Sequence, residues 1–343
     1  MLERLRIAKY RFRLEAVETL GLPRYKGSTL RGGFGAVFKR TVCFQKKVKS
    51  CADCLLRENC PYAYIFETSP PPDAEVLRTY SDVPLPFVIE PPLDTRTVYE
   101  PGESLDFGLV LVGRAINYLP YFIVVFRELG RVGLGRGRGK YTLREVAAVQ
   151  PLDGAEETIY SAADEMVCER DLSVGWEEIE AQSSKFKARS SKFKARSSKL
   201  KAQSSNVKRE TSEGRVTVNF LTPTRMKHKG KYVERPEFHV LIRNILRRVS
   251  SLYYFHCGER WETDYRGIIE AAKGVRLAEV GTGWVDWERY SRRQRQRMNL
   301  GGLVGQATYE GELGTFLPLL VLGELVHVGK GTVFGNGWYE VVG

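Results

Sequence analysis

Residues 316–342 read FLPLLVLGELVHVGKGTVFGNGWYEVV, and residues 118–149 read YLPYFIVVFRELGRVGLGRGRGKYTLREVAAV. Each stretch passes from an apolar segment of helix length through a cluster of glycines into a short strand pattern, so helix, turn and last strand are predicted twice in one chain. Outward from the 118–149 stretch, Leu5 to Ala16 alternates as a strand, and Lys26-Gly27-Ser28 supplies a turn and helix cap before a helix over Leu30 to Val42. Phe87 to Ile89 and Leu105 to Val112 read as strands, the helix runs from Tyr118 to Leu129, and Tyr141 to Val149 is the last strand. Outward from the 316–342 stretch, Val216 to Leu221 reads as a strand, and Pro236 opens a periodic helix. Leu241, Ile242, Ile245, Leu246, Val249 and Leu252 line its buried side, with Arg243, Arg247 and Arg248 on the other face. Strands follow at Arg276 to Val285 and Leu303 to Tyr309, then a helix at Phe316 to Leu325 and a strand at Trp338 to Val342.

The order β-α-β-β-α-β therefore occurs twice. The expected fold class is α+β, two tandem ferredoxin-like (RRM-like) domains with antiparallel sheets and glycine-rich loops. In such a unit both helices cover one face of the sheet and the other is left for a ligand, the face that RNA-recognition sheets use. The N-terminal domain is placed at 1–150 with a Cys-rich loop at 43–66, a linker at 151–213, and the C-terminal domain at 214–343.

The formal net charge is +12 over 343 residues. Its distribution decides what it means. Residues 183–210 read SSKFKAR, SSKFKAR, SSKLKAQ, SSNVKRE, with ten Lys or Arg and one Glu, so this tract alone carries +9 of the +12. The rest of the chain is nearly balanced, and an RNA-binding reading has to rest on local motifs. One apolar residue per heptad is too narrow a stripe to hold the tract as a packed helix, so it reads as a basic insertion or as an arm touching phosphates. No apolar run reaches the length of a membrane span and the first residues build no signal-peptide core, so a cytoplasmic protein with no membrane partner is expected.

Both glycine clusters carry basic residues. Gly133, Gly135, Gly137 and Gly139 alternate with Arg136, Arg138 and Lys140, and Gly329-Lys330-Gly331 is followed by Gly335 and Gly337. Glycine lets backbone N–H groups approach a phosphate, and Arg or Lys supplies the countercharge. A mononucleotide or dinucleotide loop is disfavoured, because both clusters lie between helix and strand and neither ends in Gly-Lys-Ser/Thr. Two tight turns without a ligand remain the plainer alternative. Cys43, Cys51, Cys54 and Cys60 lie within 18 residues around a C-x2-C knuckle, the pattern of a structural zinc site, with a disulfide pair or an iron–sulfur cluster as alternatives. No open coordination position is evident, so no catalytic metal is expected. Trp284 to Met298 joins Trp287 and Tyr290 to Arg289, Arg292, Arg293, Arg295 and Arg297, either a stacking and phosphate surface or a solvated face.

Six segments together resemble one family. Gly27-Ser-Thr-Leu-Arg-Gly-Gly-Phe-Gly35, Cys60-Pro-Tyr-Ala-Tyr-Ile-Phe66, Asp286-Trp-Glu-Arg-Tyr-Ser291, Asn299-Leu-Gly-Gly-Leu-Val-Gly305, His327-Val-Gly-Lys-Gly331 and Phe334-Gly-Asn-Gly337 are similar to CRISPR-associated precursor-RNA-processing endoribonucleases of the RAMP superfamily. The resemblance implies binding of CRISPR repeat RNA, metal-independent cleavage giving guide RNAs, and cooperation with other CRISPR effector subunits; a homodimer is left open. In such cleavage a base deprotonates the 2′-hydroxyl, which attacks the adjacent phosphate while an acid protonates the departing oxygen, roles that suit histidine. Of four histidines, His327 beside Lys330 is the first candidate and His228, in Arg225-Met-Lys-His-Lys229, the second; His239 and His256 read as packing residues. Arg31, Arg136, Arg138, Lys227, Lys229, Arg289, Gly329, Gly331, Gly335 and Gly337 are the expected RNA contacts. The resemblance also implies a histidine on the first helix where this chain has Ala36. A non-cleaving subunit that holds repeat or guide RNA is the alternative function.

Overall fold

The computed structural model describes residues 2–45, 47–48, 50–68, 83–184, 214–286, 288–291 and 296–342. The basic repeats from 185 onward, and the side chains of residues 287–299 with Arg289 among them, lie outside the described residues.

The N-terminal half contains β1 (Ile7–Ala16), α1 (Gly27–Val42), β2 (Phe87–Glu90), β3 (Ser104–Val112), α2 (Leu119–Val132), β4 (Tyr141–Val149) and β5 (Glu156–Ser161). The sheet order is β2-β3-β1-β4-β5 with every neighbour antiparallel. The C-terminal half contains β6 (Gly214–Thr224), α3 (Phe238–Cys257), α4 (Tyr265–Ala272), β7 (Arg276–Val285), β8 (Gly302–Gly311), α5 (Leu317–Val326) and β9 (Tyr339–Val342). Its order, β7-β8-β6-β9, again antiparallel, repeats the first four-strand arrangement. Both halves are ferredoxin-like, as the repeated order predicts.

Three details differ from expectation. Strand β5 pairs with β4, and Val174 and Ile7 exchange backbone hydrogen bonds at 2.9 Å, so the N-terminal unit continues well past residue 150. Helix α1 starts at Gly27 with Lys26 as its cap and no capping side chain, so Ser28 is inside the helix. Arg248 leaves the polar face of α3: it is buried, and its Nε donates to the Val326 carbonyl at 2.6 Å, satisfying an acceptor at the end of α5.

Alternation along β1 separates two faces. Phe12 stacks on Phe107 at 5.1 Å and joins Phe126, while Phe34 of α1 stacks on Phe122 at 4.6 Å, so this face forms the core beneath α1 and α2. The opposite face was expected to be free for RNA. It is not. Arg11 pairs with Glu145 and Glu156, and Arg13 with Asp106 and Glu145, so these cations are neutralised within the sheet. At its other end Ile7, Val88, Val110 and Val112 join the C-terminal core of α3 and α5.

His256, at the end of α3, sits in that junction: Nε2–H donates to the Pro84 carbonyl at 2.8 Å and Nδ1 faces the Tyr64 hydroxyl at 3.3 Å. Burial pushes its pKa down to about 4, against the raising effect of the Pro84 hydrogen bond. The unfolded chain takes up this proton first, so the stabilisation is present above pH ~6.5 and is lost as pH falls towards 4, by about 3 kcal/mol. Urea titrations at stepped pH should show this loss, and His256→Gln should flatten it; an unchanged acid limb in the variant would assign the effect elsewhere.

Candidate nucleic-acid interface

A cleft of about 1520 Å3 opens between the solvent side of α1 and the first glycine turn. Residues 32, 36, 39, 40 and 43 of α1 and its end recur at helical spacing and so share one face. The helix approaches its neighbours closely because Gly35 has no side chain: a Cβ there would run into the Phe66 ring. The opposite wall is the turn itself. Leu134 bridges Gly139, and Arg136 N–H donates to the Gly21 carbonyl at 2.8 Å, which holds Arg136 and Arg138 outward. Gly135 has φ +77° and a Cβ would strike that carbonyl, so this glycine serves the turn's own packing.

Among the described residues the lining contains Arg31, Lys39, Arg40, Arg136 and Arg138 and no Asp, Glu or His. In a chain whose balance outside the repeats is close to neutral, this is a local concentration of positive charge that attracts phosphates. The Arg31 guanidinium is held between the Phe66 ring, at 4.4 Å, and the Phe334 ring, at 5.2 Å, which fixes its direction by cation–π contact. Phe334 belongs to the second glycine turn. Tyr25 donates to its carbonyl at 2.7 Å, so the C-terminal half helps to build the wall of an N-terminal cleft. Ala36 is exposed in this cleft, where the family resemblance implies a histidine.

The expected residues divide. Arg31, Arg136 and Arg138 come together here; Lys39 and Arg40 were missed, although their positions three and four residues after Ala36 place them on its helix face. Gly335 and Gly337 are buried, Gly335 against Pro91 and the Ile89 carbonyl, so their backbone serves the junction between the halves and cannot cradle a phosphate. Gly329, Lys330 and Gly331 are half-buried, with Lys330 N–H donating to the Arg225 carbonyl at 3.0 Å.

His327 is wholly buried and stacked on Trp338. Its Nε2–H donates to Glu90 Oε1 at 3.2 Å, and Glu90 Oε2 meets Lys9 Nζ at 2.8 Å. Burial holds the imidazole below its ordinary pKa. Burial would raise the Glu90 carboxyl, but Lys9 and His327 outweigh it and hold the pKa at about 2. A ring with no accessible surface cannot pass a proton to RNA in this conformation, so the geometry makes His327 an anchor of the junction in place of the expected acid or base.

His228 and Lys227 lie in a short strand pair with Lys231 and Tyr232, outside the cleft lining, and Lys229 occupies the turn with φ +49°. The His228 ring packs edge-on against His239 at 5.4 Å, and burial followed by Arg243 and Lys229 lowers its pKa. Lys227 lies 5.0 Å from the Tyr232 ring.

Cys43, Cys51, Cys54 and Cys60 are half-buried thiols, and burial raises the Cys51 pKa. Among the described residues no group of three or more His, Cys, Asp or Glu is placed to hold a metal ion. Support for zinc thus rests on the cysteine spacing. No helix among the described residues is long and apolar enough to cross a membrane.

Residues 218–339 match the family model of the CRISPR-associated endoribonuclease Cas6. The C-terminal half of the chain thus carries a Cas6 domain, and Cas6 is a RAMP-type CRISPR protein. Residues 5–172, ahead of the Cas6 domain, match a second family model described as an N-terminal domain. An Archaeoglobus fulgidus relative described as an uncharacterized protein is 26% identical over 323 residues, covering 93% of this chain and 92% of the relative. Among solved structures, a Cas6 product complex has a TM-score of 0.55 at 17% identity, with 98% of this chain and 100% of that chain covered. Thermus thermophilus Cas6 gives 0.51 at 15%, covering 98% and 99%. A partial Cas6-RT-Cas1–Cas2 complex gives 0.54 at 13%, covering all of this chain and 47% of the other. At these identities the solved structures show a shared Cas6 fold.

Proposed function

We propose that this protein binds CRISPR repeat RNA in the α1 cleft and acts in the processing of CRISPR precursor RNA. The observation that carries the reading is the cations Lys39, Arg40, Arg136 and Arg138 facing one cleft, with no carboxylate among its described lining residues, in a chain with a Cas6 domain. The reaction is attack of a 2′-hydroxyl on the adjacent phosphorus, giving a 2′,3′-cyclic phosphate and a free 5′-hydroxyl. Arg31, Lys39 and Arg40 stabilise the charge that develops on the phosphate oxygens. No imidazole lines the cleft. Proton transfer therefore falls to water or to lining groups that titrate far from neutrality, such as Tyr62 and Lys39, and cleavage is slow. Other CRISPR proteins are proposed partners, by analogy with the neighbour solved in a Cas6-RT-Cas1–Cas2 complex.

Labelled repeat RNA incubated with the protein in EDTA tests this reading. Tight binding with slow release of cyclic-phosphate product is expected. Arg136→Ala and Arg138→Ala should each weaken binding and reduce the slope of log affinity against log salt by about one. Repeat RNA left unbound by the wild-type protein would reject the proposal.

Zinc on Cys43, Cys51, Cys54 and Cys60 is proposed as a structural ion that pins the loop after α1. Metal analysis of the purified chain should give about one zinc per protein, and Cys51→Ser with Cys54→Ser should remove it. Full retention of zinc by that double variant, or a metal-free wild-type protein, speaks against the site.

A further inference from the structure

A smaller cavity, of about 50 Å3, lies in the junction between the two halves. Its charged lining is Lys9 of β1, Glu90 of β2 and Glu324 of α5, and Trp338 borders it from the C-terminal side. Two carboxylates thus face one ammonium. Lys9 Nζ is committed to Glu90 Oε2 at 2.8 Å and lies 5.3 Å from the Trp338 ring, while Glu324 Oε2 accepts from the Val341 N–H of β9 at 3.1 Å. Burial foremost, joined by the charges of Glu340 on β9 and of Glu90, raises the Glu324 carboxyl to about 7, against the Val341 hydrogen bond and Lys9. The other titratable groups that bond α5 or its end among the described residues are Tyr339 of β9, which donates to the Leu320 carbonyl, Arg248 of α3, which donates to the Val326 carbonyl, and His327 on Glu90.

We infer that Glu324 is a proton-operated latch of the junction: with its proton in place the two halves close on the cavity, and its ionisation loosens them and slackens the wall that Phe334 lends to the α1 cleft. Protonated, the carboxyl is a neutral group that keeps its bond to Val341 and leaves Lys9 to Glu90. Ionised, it faces Glu90 and Glu340 across one shared ammonium, and its charge has to be met by water drawn in between α5 and β1. The path from there to the cleft is short. His327, three residues after Glu324, and Gly335 hold the second glycine turn against Glu90, Pro91 and the Ile89 carbonyl, and that turn carries Phe334 to Arg31. In the unfolded chain the carboxyl ionises near 4.5, so its contribution to stability is whole below that pH and is lost as pH rises to about 7. The link to RNA rests on the RNA-binding reading of the cleft; the latch itself does not.

Glu324→Gln keeps the shape of the side chain and an acceptor for the Val341 N–H, and it cannot ionise. At any one pH the titrations of His256 and Glu90 act on both proteins alike, so the difference between variant and wild type reads position 324. In urea titrations of the full chain the variant should match wild type near pH 4.5 and exceed it above pH 7, by up to roughly 300-fold in the unfolding equilibrium constant, which is the shift from 4.5 to about 7 written as a ratio. Carbon-13 NMR of wild type labelled at its glutamate carboxyls should show one of them titrating near neutrality, a readout that does not depend on how the variant folds. At fixed salt, repeat RNA should bind the variant about fivefold or more tightly than wild type at pH ~8.5, and both alike at pH ~5. A stability ratio that stays constant with pH, or no glutamate carboxyl titrating above pH ~6, overturns the latch. If the stability ratio follows pH and RNA affinity does not, the link to the cleft is overturned and the junction titration stands. If repeat RNA binds neither protein at any pH, the cleft reading fails, and the urea and NMR results still decide the latch.

Discussion

Ala36→His is expected to speed cleavage of repeat RNA by about 10²- to 10⁴-fold, the usual range for a positioned general acid or base. Position 36 is exposed in the cleft on the helix face that carries Lys39 and Arg40, and the alanine leaves space for a ring. Its surroundings already supply the other half of the chemistry, since Arg31, Lys39 and Arg40 face the place where phosphate charge would grow. An imidazole there would exchange a proton with the 2′-hydroxyl or the leaving oxygen near neutral pH. Single-turnover rates in EDTA, for wild type, Ala36→His and Ala36→Gln, separate a titrating group from a merely polar one. Equal rates for the histidine and glutamine variants would mean that RNA does not react beside this helix.

Glu90→Ala is expected to cost about 2–4 kcal/mol of stability, from a buried donor left unsatisfied and a partly buried ammonium left without its partner. Glu90 is buried in the junction with Lys9 on one carboxylate oxygen and His327 on the other. Removing it takes the ion-pair partner from Lys9, which is 27% exposed, and leaves the buried imidazole Nε2–H without its acceptor. The same geometry predicts that His327→Ala destabilises by about 2–4 kcal/mol, through a cavity beside Trp338 and a carboxylate robbed of one donor. Urea midpoints read both effects directly. A His327→Ala protein with wild-type stability and lost cleavage would restore the catalytic reading that the burial argues against.

These two experiments fall on either side of what the amino-acid sequence makes legible. The glycine turns look alike as strings, and at that level both suit phosphate. In the fold they part company. Arg136 and Arg138 project from the first turn because Arg136 N–H ties it to Gly21 and leaves the side chains in solvent. The second turn is driven into the other half of the chain, with Gly335 against Pro91, so its glycines are needed for close packing. Local sequence reports that a backbone must bend tightly, and it does not report what the bend is pressed against. His327 shows the same limit: a histidine beside glycine and lysine has the composition of a site, yet its surroundings come from Glu90 and Lys9, far away along the chain. Lys39 and Arg40 were legible in principle, because helical spacing from Ala36 fixes their face, but only the cleft's opposite wall gives that face a purpose.

By itself the sequence determined the two βαββαβ units and their antiparallel pairing, since periodicities of two and of 3.6 and the turn residues are local properties that each segment carries with it. It also located the surplus charge in the 183–210 repeats and kept the net charge from being mistaken for a binding surface. The tertiary structure alone decided which face of the N-terminal sheet is spent on internal ion pairs and on the junction, and that the basic cleft forms along α1. Those outcomes depend on desolvation and on contacts between residues hundreds of positions apart, such as Arg31 with Phe334, and such energies exist only once the two halves have packed together.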